Sequence, residues 1–421
     1  MSRNELPPHA SGTPSFLRAA PSRRGVLRAV VGLAAAGACG ALTARSAGAA
    51  PTVWNHPGGI HHPGDINRAK VKVAARVDPW YATWQVLTAN AHSASTWTAR
   101  PQATVYRGAG TNNNYTLLYN DIHAAYQNTL RWLITGDTAH ADCAAAICNA
   151  WSSTLTALDG PTDACLLAGL QGWQFANVGE LLRSYPGFDL AAFQQMMLNV
   201  FYPWNNGFLT YHNNTCITHY WANWDLCNLA SLMAIAILCE DGDKFDAAVT
   251  YFKSGAGNGA VGHAVPFLHT DDDGYALGQW QEAGRDQAHS VMGIGQMGVV
   301  CEMAWNQGVD LYGYDDNRFF KGAQYVAKYN VGLDVPFTTY SWGSGHNCAY
   351  NEQTVINDYA RGTIRPVWAM LHFHYNRIKG LDDKYIKAMC DLVGIEGGGG
   401  DYGANSGGYD QFGFGTLMYP K

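Results

Sequence analysis

The 421-residue sequence contains no CxxC pair, no Gly-x-Ser-x-Gly turn and no strand followed by a glycine loop and a helix. The first absence argues against an ordinary structural zinc site. The second argues against the nucleophile elbow of serine hydrolases. The third argues against a phosphate cradle, since EGGGGDYG has neither a strand before it nor a helix after it. Charge is sparse, at 14% of residues, and no basic tract occurs, so a nucleic acid partner is not expected. Strand-like alternation is also scarce. No second long apolar stretch follows the N-terminal region, and no membrane partner is expected once that region is removed.

That N-terminal region reads PSRRGVLRAVVGLAAAGACGALTARSAGAA. Arg23 and Arg24 precede an apolar run, and Ala47-Gly48-Ala49 forms a small-residue cleavage site, as in a twin-arginine-type export signal. The run is too short and too rich in Gly and Ala for an anchor. Residues 1–49 are therefore expected to be removed, leaving 50–421 as a secreted or periplasmic product. Their loss takes six arginines from 27 basic residues and one glutamate from 33 acidic ones, so the net charge moves from −6 to −11. Of the ten cysteines, all but Cys39 remain, an odd number. Cys227, Cys239 and Cys301 lie within helical apolar patterns and read as core thiols.

Helical periodicity predicts helices near 68–77, 115–135, 138–157, 165–183, 189–201, 217–240, 243–254, 285–307, 317–330, 364–378 and 382–393. The joints LITGDTAHADCAAAI, LCEDGDKFDAAV and IKGLDDKYIKAMC share a pattern. One helix stops near Gly or Asp, and an Asp starts the next. Short joints make antiparallel neighbours. The expectation is an all-α fold, a single domain over 50–421 built as a curved array of helix hairpins with ordered terminal loops. The Gly-rich end is studded with aromatics, unlike a flexible linker.

Two polar clusters stand out. In GQWQEAGRDQAHSVMGIGQMGVVCEMAW, Glu282, Arg285, Asp286 and His289 fall at i, i+3, i+4 and i+7, one face of a helix that is otherwise apolar. Gln279 and Trp280 lie just before them. Such a face is expected to line a wet cavity, because unpaired buried charges cost several kcal/mol. The second cluster, TYHNNTCITHYWANWDLCNLASL, offers His219, Tyr220, Trp221, Asn223 and Trp224. Asn223 is read either as a helix cross-link or as a neutral recognition group, and Asn228 as structural. HPGGIHHPGD brings His56, His61, His62 and Asp65, but loop histidines beside prolines make a poor metal site. No metal or cofactor is expected. His372 and His374 project to different helix faces, which argues against joint ligation.

NNTCITHYWANW, the Arg285 segment and WNQGVDLYGY occur in this order. They resemble the alginate lyase type of polysaccharide lyases, which fold as (α/α) toroids, and are most similar to the branch that includes glucuronan lyases. HPGDINRAKVKV with DPWYATW, and SGGYDQFGFGTL near the end, fit that branch as well. The resemblance runs over most of the mature chain, strongest between Tyr211 and Gly332. There are departures. Alginate lyases proper carry Asn-Asn-His before Tyr-Trp-Ala, where this chain has Cys216, Ile217 and Thr218. The family's arginine aligns with Arg285, whereas its tyrosine seven residues on aligns with Met292.

The resemblance implies β-elimination on an acidic polysaccharide, a 1,4-linked uronate polymer. Removing the C5 proton builds charge on the adjacent carboxyl group, which Asn223 and Arg285 would stabilise as donors. His289 is a base or orienter, and the loop tyrosines Tyr314 and Tyr340 are the candidates for proton transfer, with Tyr220 behind them. His219, Tyr220, Trp221, Trp224, Gln279, Trp280, Glu282 and Arg361 are expected to bind substrate. Arg361 and Arg365 are expected to make the cleft locally basic in an acidic protein. Two other readings compete. One is a glycoside hydrolase using Glu282 or Asp286 with Asp65; the other is a non-catalytic glycan binder relying on Trp221, Trp224 and Trp280.

Overall fold

Asp137 shows why the chain breaks into helix pairs. The helix before it ends on Gly136 at φ 80°, a left-handed conformation that suits glycine, and the Asp137 carboxylate accepts the Ala139 amide at 3.0 Å. Asp241 does the same for Lys244 after Glu240 turns left-handed. The third joint differs: Asp383 makes no capping bond and instead binds His372 Nδ1 at 2.6 Å.

The computed structural model describes residues 50–110, 112–402 and 409–419, so the export signal lies outside them. The helices run α1 (Pro63–Ala74), α2 (Trp80–Ala89), α3 (Tyr115–Thr135), α4 (Thr138–Thr154) and α5 (Ala164–Leu182). Then α6 (Leu190–Met196) passes through a π turn into α7 (Tyr202–Tyr211), followed by α8 (Ala222–Cys239), α9 (Gly242–Ser254) and α10 (Val261–Ala264). Last come α11 (Gln287–Asn306), α12 (Tyr314–Asn330), α13 (Trp368–His372) with a π turn after it, α14 (Lys384–Val393) and α15 (Gly415–Met418). Among the described residues the strands are short and paired. β1 (Thr104–Tyr106) runs parallel to β2 (Ala157–Asp159). β3 (Phe267–Thr270) is antiparallel to β4 (Ala276–Gln279), and β5 (Tyr340–Trp342) to β6 (Asn351–Gln353).

Helices α3, α5, α8, α11 and α13 form the inner layer of an (α/α) toroid, and α4, α9, α12 and α14 return outside them. Close glycine contacts give the direction. Gly169, Gly172 and Gly179 of α5 meet Cys227, Ser231 and Leu238 of α8, so the two helices advance together. Gly295 and Gly298 of α11 meet Val367 and Met370 in the same sense. A Cβ on Gly169 would stand 2.9 Å from the Asn228 amide nitrogen, which is why this crossing needs glycine. The parallel inner helices therefore start at one rim. α1 and α15 close the ring between α13 and α3. α8 is long and apolar enough to cross a membrane, although no second long apolar stretch was expected; its burial in the core explains that composition. Asn228 is structural, accepting from Asn205 Nδ2 at 2.9 Å to tie α7 to α8.

Several expected starts move. α1 begins at Pro63, not Arg68, because His62 and Asp65 form a capping box ahead of it. α8 begins at Ala222, not 217, because His212, Asn213 and Asn214 take φ of 43°, 50° and 59° and the chain stays a loop through Trp221. α11 begins at Gln287, so Glu282 and Arg285 precede the helix and do not share its face. Cys227 and Cys301 are core thiols, but Cys239, at the end of α8, is half-buried.

Candidate active site

Asp286 organises the site. Its backbone is extended and it caps α11, accepting the His289 amide through Oδ1 at 2.7 Å. Oδ2 lies 2.7 Å from His289 Nδ1. A carboxylate only accepts, so Nδ1 carries the hydrogen and Nε2 keeps its lone pair. Burial acts to raise the Asp286 pKa, but the bonds from His289 and the nearby Arg285 charge hold it below the usual value. His289 Nε2 accepts from Arg285 Nη2 at 3.3 Å. The His289 side chain is 38% exposed, so substrate can reach it.

Arg285 is held on three sides. Nη1 donates to Glu282 Oε2 at 2.8 Å, Nε lies 3.7 Å from Asp286, and the guanidinium sits 5.0 Å from the centre of the Trp221 ring. Asn357 Nδ2 fixes the Arg285 carbonyl at 2.8 Å. Glu282 is fully buried and also accepts the Asn223 amide at 2.8 Å, with Asn223 Nδ2 at 2.9 Å from both of its oxygens. Four polar groups thus converge as the sequence indicated, but through a turn and a helix cap. Glycine at 284 and an Asp three residues before His289 were the signals for that turn. Glu282 is consequently a support for Asn223 and Arg285, and neither it nor Asp286 is a loose carboxylate for hydrolysis. The Asn223 side-chain donor, expected to serve substrate, is bonded to both Glu282 oxygens.

The tyrosines separate. Tyr340 is buried, and its hydroxyl donates to Asn258 Oδ1 and accepts from Gln281 Nε2, each at 3.3 Å. Burial pushes its pKa up to about 12. Gln281 is next to Glu282 in the chain, so Tyr340 is tied to the cluster through Gln281, and its hydroxyl bonds neither His289 nor Asn223. Tyr314 packs on Phe252 and Lys253, ahead of three left-handed residues, Asp315–Asn317. It begins α12, whose other end, Asn330, bonds to Gln287 at the rim. At about 1.5 Å per residue this puts Tyr314 at the far end of the toroid. Tyr220 is buried among Phe208 and Trp224, with its hydroxyl accepting from Asn213 at 2.9 Å.

Several other residues expected to touch substrate are buried. Gln279 is buried and bonds both ways to the Thr338 backbone, at 2.6 and 2.7 Å. Trp280 is fully buried against Gly293 and Gly322, and Trp224 is buried beside Phe208. Arg361 spends Nε on the Tyr329 carbonyl and lies on that ring, while Arg365 is buried in an ion pair with Asp410. Each guanidinium has a carboxylate partner, Asp334 for Arg361 and Asp410 for Arg365. His219 lies beside Tyr220 in the loop before α8, and Trp221 is half-buried at the cluster. Asp65 is taken by Arg68 and the His62 amide, and His56 and His61 turn to Glu180 and Tyr126. No group of three or more potential metal-binding side chains occurs among the described residues.

Sequence reasoning missed Gln281, Asn258, Trp342 and the Cys216–Cys348 disulfide. Gln281 accepts the Ala222 amide at 2.9 Å, and Asn258 donates to the Tyr220 carbonyl at 2.7 Å. These long-range pairings leave no local pattern.

A family model described as alginate lyase matches residues 81–335. The fold is similar to the crystal structure of alginate lyase A1-III from Sphingomonas species A1, with TM-score 0.56 and 14% identity over 88% of this chain and 98% of that one. A variant of alginate lyase A1-III complexed with a tetrasaccharide gives TM-score 0.55 and 13% identity, over 88% of this chain and 97% of that one. No curated protein sequence matches. The chain is a polysaccharide lyase built on an (α/α) toroid. It belongs to the alginate lyase family.

Proposed function

We propose that the enzyme cleaves a 1,4-linked uronate polymer, glucuronan-like or alginate-like, by β-elimination, outside the cytosol. The observation that carries this reading is the Asp286–His289–Arg285 array. A half-exposed imidazole, held by Asp286 through Nδ1, turns its Nε2 to the arginine that aligns with the family's own, in a long 3.3 Å bond that substrate can replace. His289 Nε2 takes the C5 proton, while Arg285 draws in the substrate carboxylate and stabilises the charge that develops there. The C4–O4 bond breaks, a C4–C5 double bond forms, and the imidazolium returns its proton to O4. No water enters the products. Tyr340, a phenol at neutral pH, supports the cluster through Gln281.

An acidic protein needs local attraction for a polyanion. The inner helices begin at one rim, so the positive ends of their dipoles gather there with Arg285. The Cys216–Cys348 disulfide supports an oxidising, exported setting. The test is a panel of uronate polymers, read by the ultraviolet absorbance of the unsaturated product, with Arg285→Ala as control. The variant should lose about 10²–10³ in rate, as for one preorganised donor. Near-normal turnover in a folded Arg285→Ala protein would remove the proposed role.

A further inference from the structure

We infer that Trp342 is a positioning residue for Arg285, and that the Cys216–Cys348 disulfide holds it in place. The inference rests on the role proposed above for Arg285. The aromatic face over which the guanidinium lies belongs to Trp221, in extended backbone just before α8. Trp221 has Trp342 at 4.7 Å between ring centres, tilted by 46°. Trp342 in turn stacks on Tyr340 at 5.9 Å and 16°. A cation held on an indole is orientated by it. Trp342 thus backs the ring that sets the plane of the arginine.

The element carrying Trp342 is weak by itself. β5 and β6 pair over three residues each, and an isolated two-stranded hairpin is marginal in water. Its ties explain how it stays. Gly343 N donates to Thr218 Oγ1 at 3.2 Å, Asn347 Nδ2 donates to the Asn214 carbonyl at 2.8 Å, and Cys348 is bonded to Cys216. All three reach the loop that presents Trp221. A fourth, Gly284 N to Gln353 Oε1 at 3.1 Å, reaches the turn that presents Arg285. The hairpin therefore bridges the two segments whose spacing sets the Arg285–Trp221 contact, and only one of its ties is covalent.

Steady-state kinetics of elimination test this in Trp342→Ala, Trp342→Phe, Cys348→Ser and wild-type enzyme treated with dithiothreitol. The dithiol passes two electrons and two protons to the disulfide, leaving two cysteine thiols and its own cyclic disulfide. Trp342→Ala should lower kcat/KM about tenfold, mostly through kcat, and Phe should restore most of it. Reduced wild type and Cys348→Ser should fall in the same parameter, and Cys348→Ser should no longer respond to dithiothreitol. In an Arg285→Lys background the Trp342→Ala loss should shrink, because the two act together. A loss of the same size in both backgrounds would show that Trp342 touches the sugar itself and would overturn the inference, as would unchanged kcat in Trp342→Ala. If Trp342→Ala melts early, the Phe variant and the reduction decide: full activity in reduced enzyme overturns the disulfide's part. A near-normal Arg285→Ala enzyme removes the role proposed for Arg285, whereas an inactive one beside a normal Trp342→Ala enzyme removes only this inference.

Discussion

At the scale of single residues, Asp286 and His289 make one unit. His289→Ala should lower kcat by about 10²–10⁴, the usual worth of a general base. Asp286→Asn should lower it less, because Asn keeps an acceptor for the helix cap but no longer fixes which imidazole nitrogen carries the hydrogen. Rate against pH for the three proteins measures both effects; equal activity of wild type and Asp286→Asn would contradict the assignment. Far from this site, Glu302 is buried against the Tyr312 hydroxyl at 2.9 Å, and burial raises its pKa to about 8 from 4.5. Between those two values the folded protein binds more protons at this group than the unfolded chain does. Stability from this group is thus present below pH 4.5 and lost as pH rises toward 8. Glu302→Gln keeps the acceptor for Tyr312, so it should raise Tm more at pH 8 than at pH 5. Thermal melts at the two pH values check it, and an equal shift at both would contradict the raised pKa.

At the scale of elements, the toroid depends on how closely α5 and α8 approach. Gly169→Ala should cost about 1–3 kcal/mol, because its Cβ meets the backbone of α8. Gly207 on α7 has nothing within 4 Å of a Cβ, so Gly207→Ala should be neutral or stabilise by up to about 1 kcal/mol. Chemical denaturation of the pair separates crowding from helix propensity. The α3–α4 and α8–α9 joints were legible for a local reason: a left-handed stop and an Asp cap are encoded within four or five residues. The helix bodies were legible from their apolar period. The start of α11 was misread because Glu282 to His289 satisfies helical spacing while Asp286 also satisfies a cap, and the cap prevails. The start of α8 was misread because apolar and aromatic residues continue back through a loop held by distant ties. The polar cluster itself was visible, since four ionisable groups beside an apolar helix are unusual. Gln279, Trp280 and Trp224 were misassigned because composition does not tell a buried side chain from one lining a cleft. Tyr314 was misassigned because loop position along the chain says nothing about which end of a toroid it occupies.

At the scale of the molecule, attraction of an acidic polymer must come from a local field, because the overall charge repels it. Added salt screens such a field over about 10 Å at 0.1 M. KM for a uronate polymer should therefore rise with salt while kcat changes little, and a salt-independent KM would exclude attraction by the rim. On the proposed reading, a toroid with His289 and Arg285 at its rim eliminates instead of hydrolysing. The most direct measurement of this claim follows two signals together during digestion of a uronate polymer: ultraviolet absorbance of the unsaturated sugar and the appearance of new reducing ends. The expected result is one unsaturated end for each new reducing end, with both lost in Arg285→Ala. Reducing ends that accumulate without absorbance would show hydrolysis and contradict the claim.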